Sequence, residues 1–153
     1  MLKSIRLLSS AAILMASATS VFAGGFAVIL GNPQANAEAR ALNAAVTAKA
    51  VGCGQPEKAS VTAHAVGIVD GRRQIIPLKV SPLKEKGMFA VTRQWPDQGR
   101  WTIEFVAEEG GRTTATVARV TETGVDYNGA RFHASRTDLD SMLDTAPVLR
   151  AAK

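Results

Sequence analysis

Ala59-Ser60-Val61-Thr62-Ala63-His64-Ala65-Val66-Gly67-Ile68-Val69-Asp70-Gly71-Arg72-Arg73-Gln74-Ile75-Ile76-Pro77-Leu78-Lys79-Val80 is the stretch that decides the fold. Val61, Ala63 and Ala65 are apolar while Ser60, Thr62 and His64 are polar, the period-two alternation of a half-buried strand. Asp70-Gly71 supplies the two left-handed residues of a type I′ hairpin turn. A two-residue loop there fixes the register: Val61 faces Val80, Ala63 faces Leu78, and Ala65 faces Ile76. All three pairs are apolar on one face, as a half-buried hairpin requires. On the other face His64 falls opposite Pro77, and a proline inside a strand places that strand at a sheet edge.

Downstream, alternation continues and turn signals recur. Lys84-Glu85-Lys86-Gly87 is a charged turn, after which Phe89 and Val91 share one face of the strand that leads to Trp95. In Pro96-Asp97-Gln98-Gly99, proline presets the entry angle and glycine permits a left-handed exit. Residues 100–107 then put Trp101, Ile103 and Phe105 inward and Thr102 and Glu104 outward. Glu109-Gly110-Gly111 reverses the chain into a strand over 113–121. A two- or a three-residue loop there decides whether Ala115 and Val117 or Ala118 and Val120 point inward. Strands punctuated in this way at intervals of about 8–12 residues predict a mainly β chain, an antiparallel sandwich or barrel of six or seven strands over residues 41–122.

Upstream, two readings compete for residues 33–50. Asn32 is suited to cap a helix with Pro33 in its first position, and the run to Ala50 is rich in alanine. Yet Leu42, Ala44, Val46, Ala48 and Ala50 alternate with Asn43, Thr47 and Lys49, and Gly52 follows as a turn. A sandwich needs a strand to cover the hairpin, which favours a flexible or briefly helical leader over 24–40 and a strand over about 42–51. In the tail, residues 123–153, Asn128-Gly129 predicts a second hairpin pairing Asp126 with Arg131 and Val125 with Phe132. Thr137 and Asp140 then resemble a capping box, and Leu139, Met142, Leu143 and Ala146 form the apolar stripe of a short helix ended by Pro147. About two turns long, such a helix has to pack on the sandwich or on a partner.

The segments Gly87-Met88-Phe89-Ala90-Val91 and Trp95-Pro96-Asp97-Gln98-Gly99-Arg100-Trp101-Thr102-Ile103 resemble small secreted immunoglobulin-like modules of the FixH-like and YtkA-like group. Between sandwich and barrel, the resemblance implies an exported antiparallel immunoglobulin-like β-sandwich, and with it a link to copper handling or membrane-complex assembly. The clustered methionine and histidine ligands of copper carriers are absent from this sequence.

Residues 1–23, MLKSIRLLSSAAILMASATSVFA, read as a cleavable signal peptide: Lys3 and Arg6, an apolar run from Leu7 to Met15, then Val21 and Ala23 at the small-residue exit before Gly24. Its apolar stretch is broken by serines and falls short of the roughly 20 residues of a membrane span. Cleavage implies a periplasmic or secreted location with no transmembrane anchor. It also removes two of the 18 basic residues and lowers the net charge of +5 by two. An exported chain with that small excess is not expected to bind nucleic acid, which leaves an acidic protein, a polysaccharide or an anionic envelope component as partners. In an oxidising compartment the single cysteine, Cys53, has no internal disulfide partner. Between Gly52 and Gly54 it reads as a small buried residue at a strand end, or as a reactive thiol open to an intermolecular disulfide.

Chemistry needs convergent groups, and the sequence offers few. Cys53, His64, His133, Met88 and Met142 show no metal-ligand spacing, so the metal alternative reduces to Cys53 with His64. No nucleophile elbow or phosphate-binding loop is present. Glu108-Glu109 reads as a polar turn, and Asp138, Asp140 and Asp144 as a solvated helix face. No catalytic residue and no cofactor are assigned. The binding candidates are Trp95 and Trp101, as an aromatic platform or as core, and the basic residues Arg72, Arg73, Lys79, Lys84 and Lys86 around the edge hairpin. The expectation is an exported, non-catalytic binding or structural module, the alternative a metal-handling or assembly factor.

Overall fold

The computed structural model describes residues 25–151; the signal-peptide reading of residues 1–23 lies outside them. Two antiparallel sheets face each other. The first contains β1 (Ala27–Gly31), β2 (Ala44–Val51), β5 (Val80–Pro82) and β6 (Met88–Thr92), in the order β1-β2-β6-β5. The second contains β3 (Ser60–Val69), β4 (Arg72–Leu78), β7 (Arg100–Glu109), β8 (Arg112–Thr121) and β10 (Arg131–Phe132), in the order β10-β8-β7-β3-β4, with β9 (Gly124–Val125) also pairing with β8. The sequence β1-β2-β6-β5 and β8-β7-β3-β4 is the A-B-E-D and G-F-C-C′ arrangement of an immunoglobulin-like sandwich. Among the described residues no helix is long and apolar enough to cross a membrane.

The core follows a simple division of volume. The central strand β7 supplies the bulk, with Trp101, Ile103 and Phe105 fully buried. Its neighbours supply small residues opposite them: Gly67, Ala65 and Ala63 on β3, and Ala118 and Thr116 on β8. A Cβ on Gly67 would overlap the Trp101 ring. Across the gap, Phe26, Val28, Val46, Ala48, Ala50 and Val91 close the same cluster.

The hairpin register is as predicted from Val69 with Arg72 down to Ala63 with Leu78. Val61 does not meet Val80, because the chain leaves the sheet after Leu78 and Val80 pairs with Val91 in the opposite sheet. The β7–β8 loop has two residues, Gly110 and Gly111, both at positive φ, which turns Ala118 and Val120 into the core. Residues 42–51 form a strand rather than a helix, starting at Ala44.

Three expectations are corrected. The leader over 24–40 is not free chain: β1 pairs with β2 from Ala27 with Val51 to Gly31 with Thr47. Val28 is buried, and its carbonyl accepts a 2.7 Å hydrogen bond from the Thr116 hydroxyl. A 3-10 turn at Pro33–Ala35 and the one-turn helix α1 (Ala37–Ala41) follow, capped by the Asn32 and Asn36 side chains. The tail hairpin does not form, since β9 and β10 each pair with β8 and Asp126 instead accepts from the Gly129 N–H at 2.9 Å. The C-terminal helix α2 (Arg136–Thr145) starts two residues earlier than read: Ser135 is the cap and Asp138 completes the box, leaving Asp140 free to pair with Arg73 at 2.8 Å.

Helix α2 lies on the outer face of the second sheet. Leu139, Met142 and Leu143 bury against Val66 and Val117. Thr102, read as outward and polar, does point away from the inter-sheet core, yet it is fully buried on the face that α2 covers.

Candidate functional site

The hairpin that sets the register also leaves one strand half-finished. Asp70 (φ 49°) and Gly71 (φ 74°) make the left-handed turn, in which the Val69 carbonyl accepts from the Arg72 N–H. From that bonded pair the antiparallel ladder alternates, so Arg72, Gln74, Ile76 and Leu78 turn their main-chain groups toward β3. Arg73, Ile75 and Pro77 turn theirs away. Pro77 therefore sits where its missing N–H costs the ladder nothing, and β4, last in the sheet order, has a free edge among the described residues. That edge offers an N–H and a C=O at Arg73, both again at Ile75, and a C=O at Pro77.

The side chains along it are open to solvent. Arg72, Arg73, Gln74 and Pro77 are exposed, and Ile75 is 56% exposed. Arg73 and Ile75 share the face on which α2 lies, being opposite Ile68 and Val66, and Asp140 of α2 holds Arg73. Arg72 and Gln74 lie on the other face. Among the described residues Arg72 has no carboxylate partner, whereas Arg73 does.

The five basic residues do not form one patch. Arg72 and Arg73 stand at the turn, while Lys79 lies about 20 Å away past the other end of β4. The Lys79 N–H donates to Gln94 Oε1 at 3.0 Å. Lys84 and Lys86 are exposed in the loop between β5 and β6, where the Lys84 N–H donates to Glu38 Oε2 at 2.9 Å.

Nor do the tryptophans make a platform. Trp101 is wholly buried, its indole N–H donating to the Gln98 carbonyl at 2.8 Å, and Trp95 is 5% exposed within the same core. The Arg93 guanidinium lies 5.9 Å from the Trp95 ring and pairs with Asp97 at 2.5 Å, covering the rim.

Cys53 is exposed, against its reading as a buried strand-end residue. Gly52 (φ 118°) packs against the Gly25 carbonyl where no side chain fits, and Gly54 (φ 98°) reverses the chain on the other side. The loop is tied down by Arg112, whose guanidinium donates to the Cys53 carbonyl at 2.7 Å, pairs with Glu109 and lies 5.4 Å from the Phe26 ring centre. Hydrogen bonds from Arg112 and from the Gln55 N–H hold the Glu109 carboxyl below its ordinary range. His64 is half-buried on the outer face of β3, between Glu104 and Pro77. From Ser60, where β3 begins, it is about 13 Å along the strand, and the Cys53 loop lies before that point. His133, exposed, contacts the Thr114 hydroxyl through Nδ1 at 3.2 Å. Among the described residues no three His, Cys, Asp or Glu side chains converge as metal ligands would.

Sequence reasoning missed Ile75. The signal was present in Asp70-Gly71 and Pro77, which together fix which residues of β4 face outward. What the sequence withholds is that α2 reaches β4 only through the Asp140–Arg73 pair and leaves Ile75 uncovered. Comparison with protein-family models, with curated proteins and with solved structures returns no match for this chain.

Proposed function

We propose that this chain is an exported, non-catalytic binding module acting in the periplasm or outside the cell, and that it engages its partner along the free edge of β4. Export rests on the signal-peptide pattern of residues 1–23. The observation that carries the binding role is the open ladder at Arg73 and Ile75, with Ile75 exposed beside two arginines. Sheet edges with unpaired main-chain groups bind other chains readily, the main-chain bonds supplying affinity and the alternate side chains specificity. The exposed guanidinium of Arg72 favours an acidic partner over a neutral one.

Site-specific photocrosslinking tests this reading. A photoreactive residue at position 75 is expected to capture a discrete envelope component, and one at position 29, exposed on the edge of the other sheet, is expected to capture none. Equal capture from both positions, or none from position 75, overturns it.

A further inference from the structure

We infer that the occupant of this edge is an extended polypeptide segment that joins the sheet as an added strand, with an apolar residue beside Ile75 and an acidic residue beside Arg72. The inference rests on the edge reading above and specifies the chemistry of the partner. Arg73 and Ile75 each present one donor and one acceptor, and they are two residues apart, about 6.6 Å along the strand. That spacing is the repeat of another strand, whose own outward groups recur at the same interval and with the same alternation of N–H and C=O. A polysaccharide has hydroxyls but no such matched repeat.

The limits of the added ladder are also set. Toward Leu78 it stops at Pro77, which accepts but cannot donate. Toward the turn it stops at Asp70-Gly71. The segment therefore gains full pairing at two residues only, and its affinity depends on side chains. On the α2 face the free contact is Ile75, because Arg73 is already held by Asp140. An apolar side chain there covers surface that is otherwise wet. On the other face the free contact is Arg72, which takes a carboxylate. The recognised pattern is an alternating acidic and apolar stretch of about five residues.

The test uses the mature chain labelled with ¹⁵N and titrated with an alternating Glu/Val heptapeptide. Before addition, the Arg73 and Ile75 amides are expected to exchange with solvent quickly, and those of Arg72, Gln74 and Ile76 slowly. On saturation the exchange of Arg73 and Ile75 is expected to slow about tenfold or more. A Lys/Val heptapeptide is expected to bind about fivefold more weakly, and Arg72→Glu is expected to reverse that preference. An Arg72→Glu chain that melts with the parent shows that the variant is folded.

Absence of saturable shifts with the Glu/Val peptide, or saturable binding without protection of Arg73 and Ile75, overturns the inference. If position 75 still crosslinks an envelope component in that case, the edge reading stands and the partner engages it through side chains alone. If crosslinking fails as well, both fall. A self-associated dimer crosslinked through position 75 also overturns the inference, since the occupant is then a second copy.

Discussion

Gly67 and Trp101 lie opposite each other on β3 and β7, and the indole fills the space a Cβ would need. Gly67→Ala is therefore expected to force the ring or β3 to shift and to cost about 1–3 kcal/mol, read as a lower thermal midpoint. Two buried threonines make a sharper comparison. Thr116 donates to the Val28 carbonyl across the sheets, so Thr116→Val removes a bond and orphans an acceptor, a loss of about 1 kcal/mol. The Thr102 hydroxyl is buried without a partner among the described residues, so Thr102→Val is expected to be neutral or stabilising by up to about 1 kcal/mol. Urea unfolding of both variants checks the opposite signs. The inward set Trp101, Ile103 and Phe105 was legible because alternation reports which side of a strand a residue is on. It does not report what covers that side. Thr102 looked solvated because the helix that buries it lies more than 30 residues later in the chain.

At the level of elements, local chemistry was readable and long-range pairing was not. The Asp70-Gly71 turn fixed seven pairs of the β3–β4 ladder, since turn type and register are coupled within a few residues. Asn128-Gly129 carried the same signal and failed, because β8 offered its free side to both flanking segments and Asp126 turned back onto Gly129. Helix α2 was legible from its stripe, but its start was misread, because Ser135-Arg136-Thr137-Asp138 satisfies the capping box two residues earlier. Ser135→Ala is expected to cost about 1 kcal/mol of stability. The cap is also acid-sensitive. The Ser135 hydroxyl, then its N–H, then Arg131 at 3.4 Å hold the Asp138 carboxyl below its ordinary range. A carboxyl with a depressed folded value contributes stability that is complete above the ordinary range, about pH 4, and is lost as pH falls through the folded value. Denaturant midpoints measured between pH 6 and pH 2 are expected to fall more gently in Asp138→Asn than in the parent chain.

For the whole molecule, turn spacing was enough to narrow the fold to an antiparallel sandwich or barrel, because strand length and sheet thickness leave few other ways to bury an alternating chain. The candidate edge was half legible: Pro77 and the arginines marked it, while the uncovered Ile75 emerged only when α2 was in place. β1 was not legible, because Phe26-Ala27-Val28-Ile29-Leu30 is a continuous apolar run and shows no alternation to read. Its role is nevertheless structural. Phe26 and Val28 enter the core, where each side chain contributes about 1.5–3 kcal/mol, and the Val28 carbonyl satisfies Thr116. Together with the orphaned hydroxyl, removal of residues 25–31 is expected to cost about 4–7 kcal/mol, a large part of the roughly 5–15 kcal/mol that holds a domain folded. A chain lacking those residues should therefore show a much lower or vanished thermal transition by circular dichroism. An unchanged midpoint would return residues 25–31 to the status of a leader, and would mean that the sandwich closes on β2 without β1.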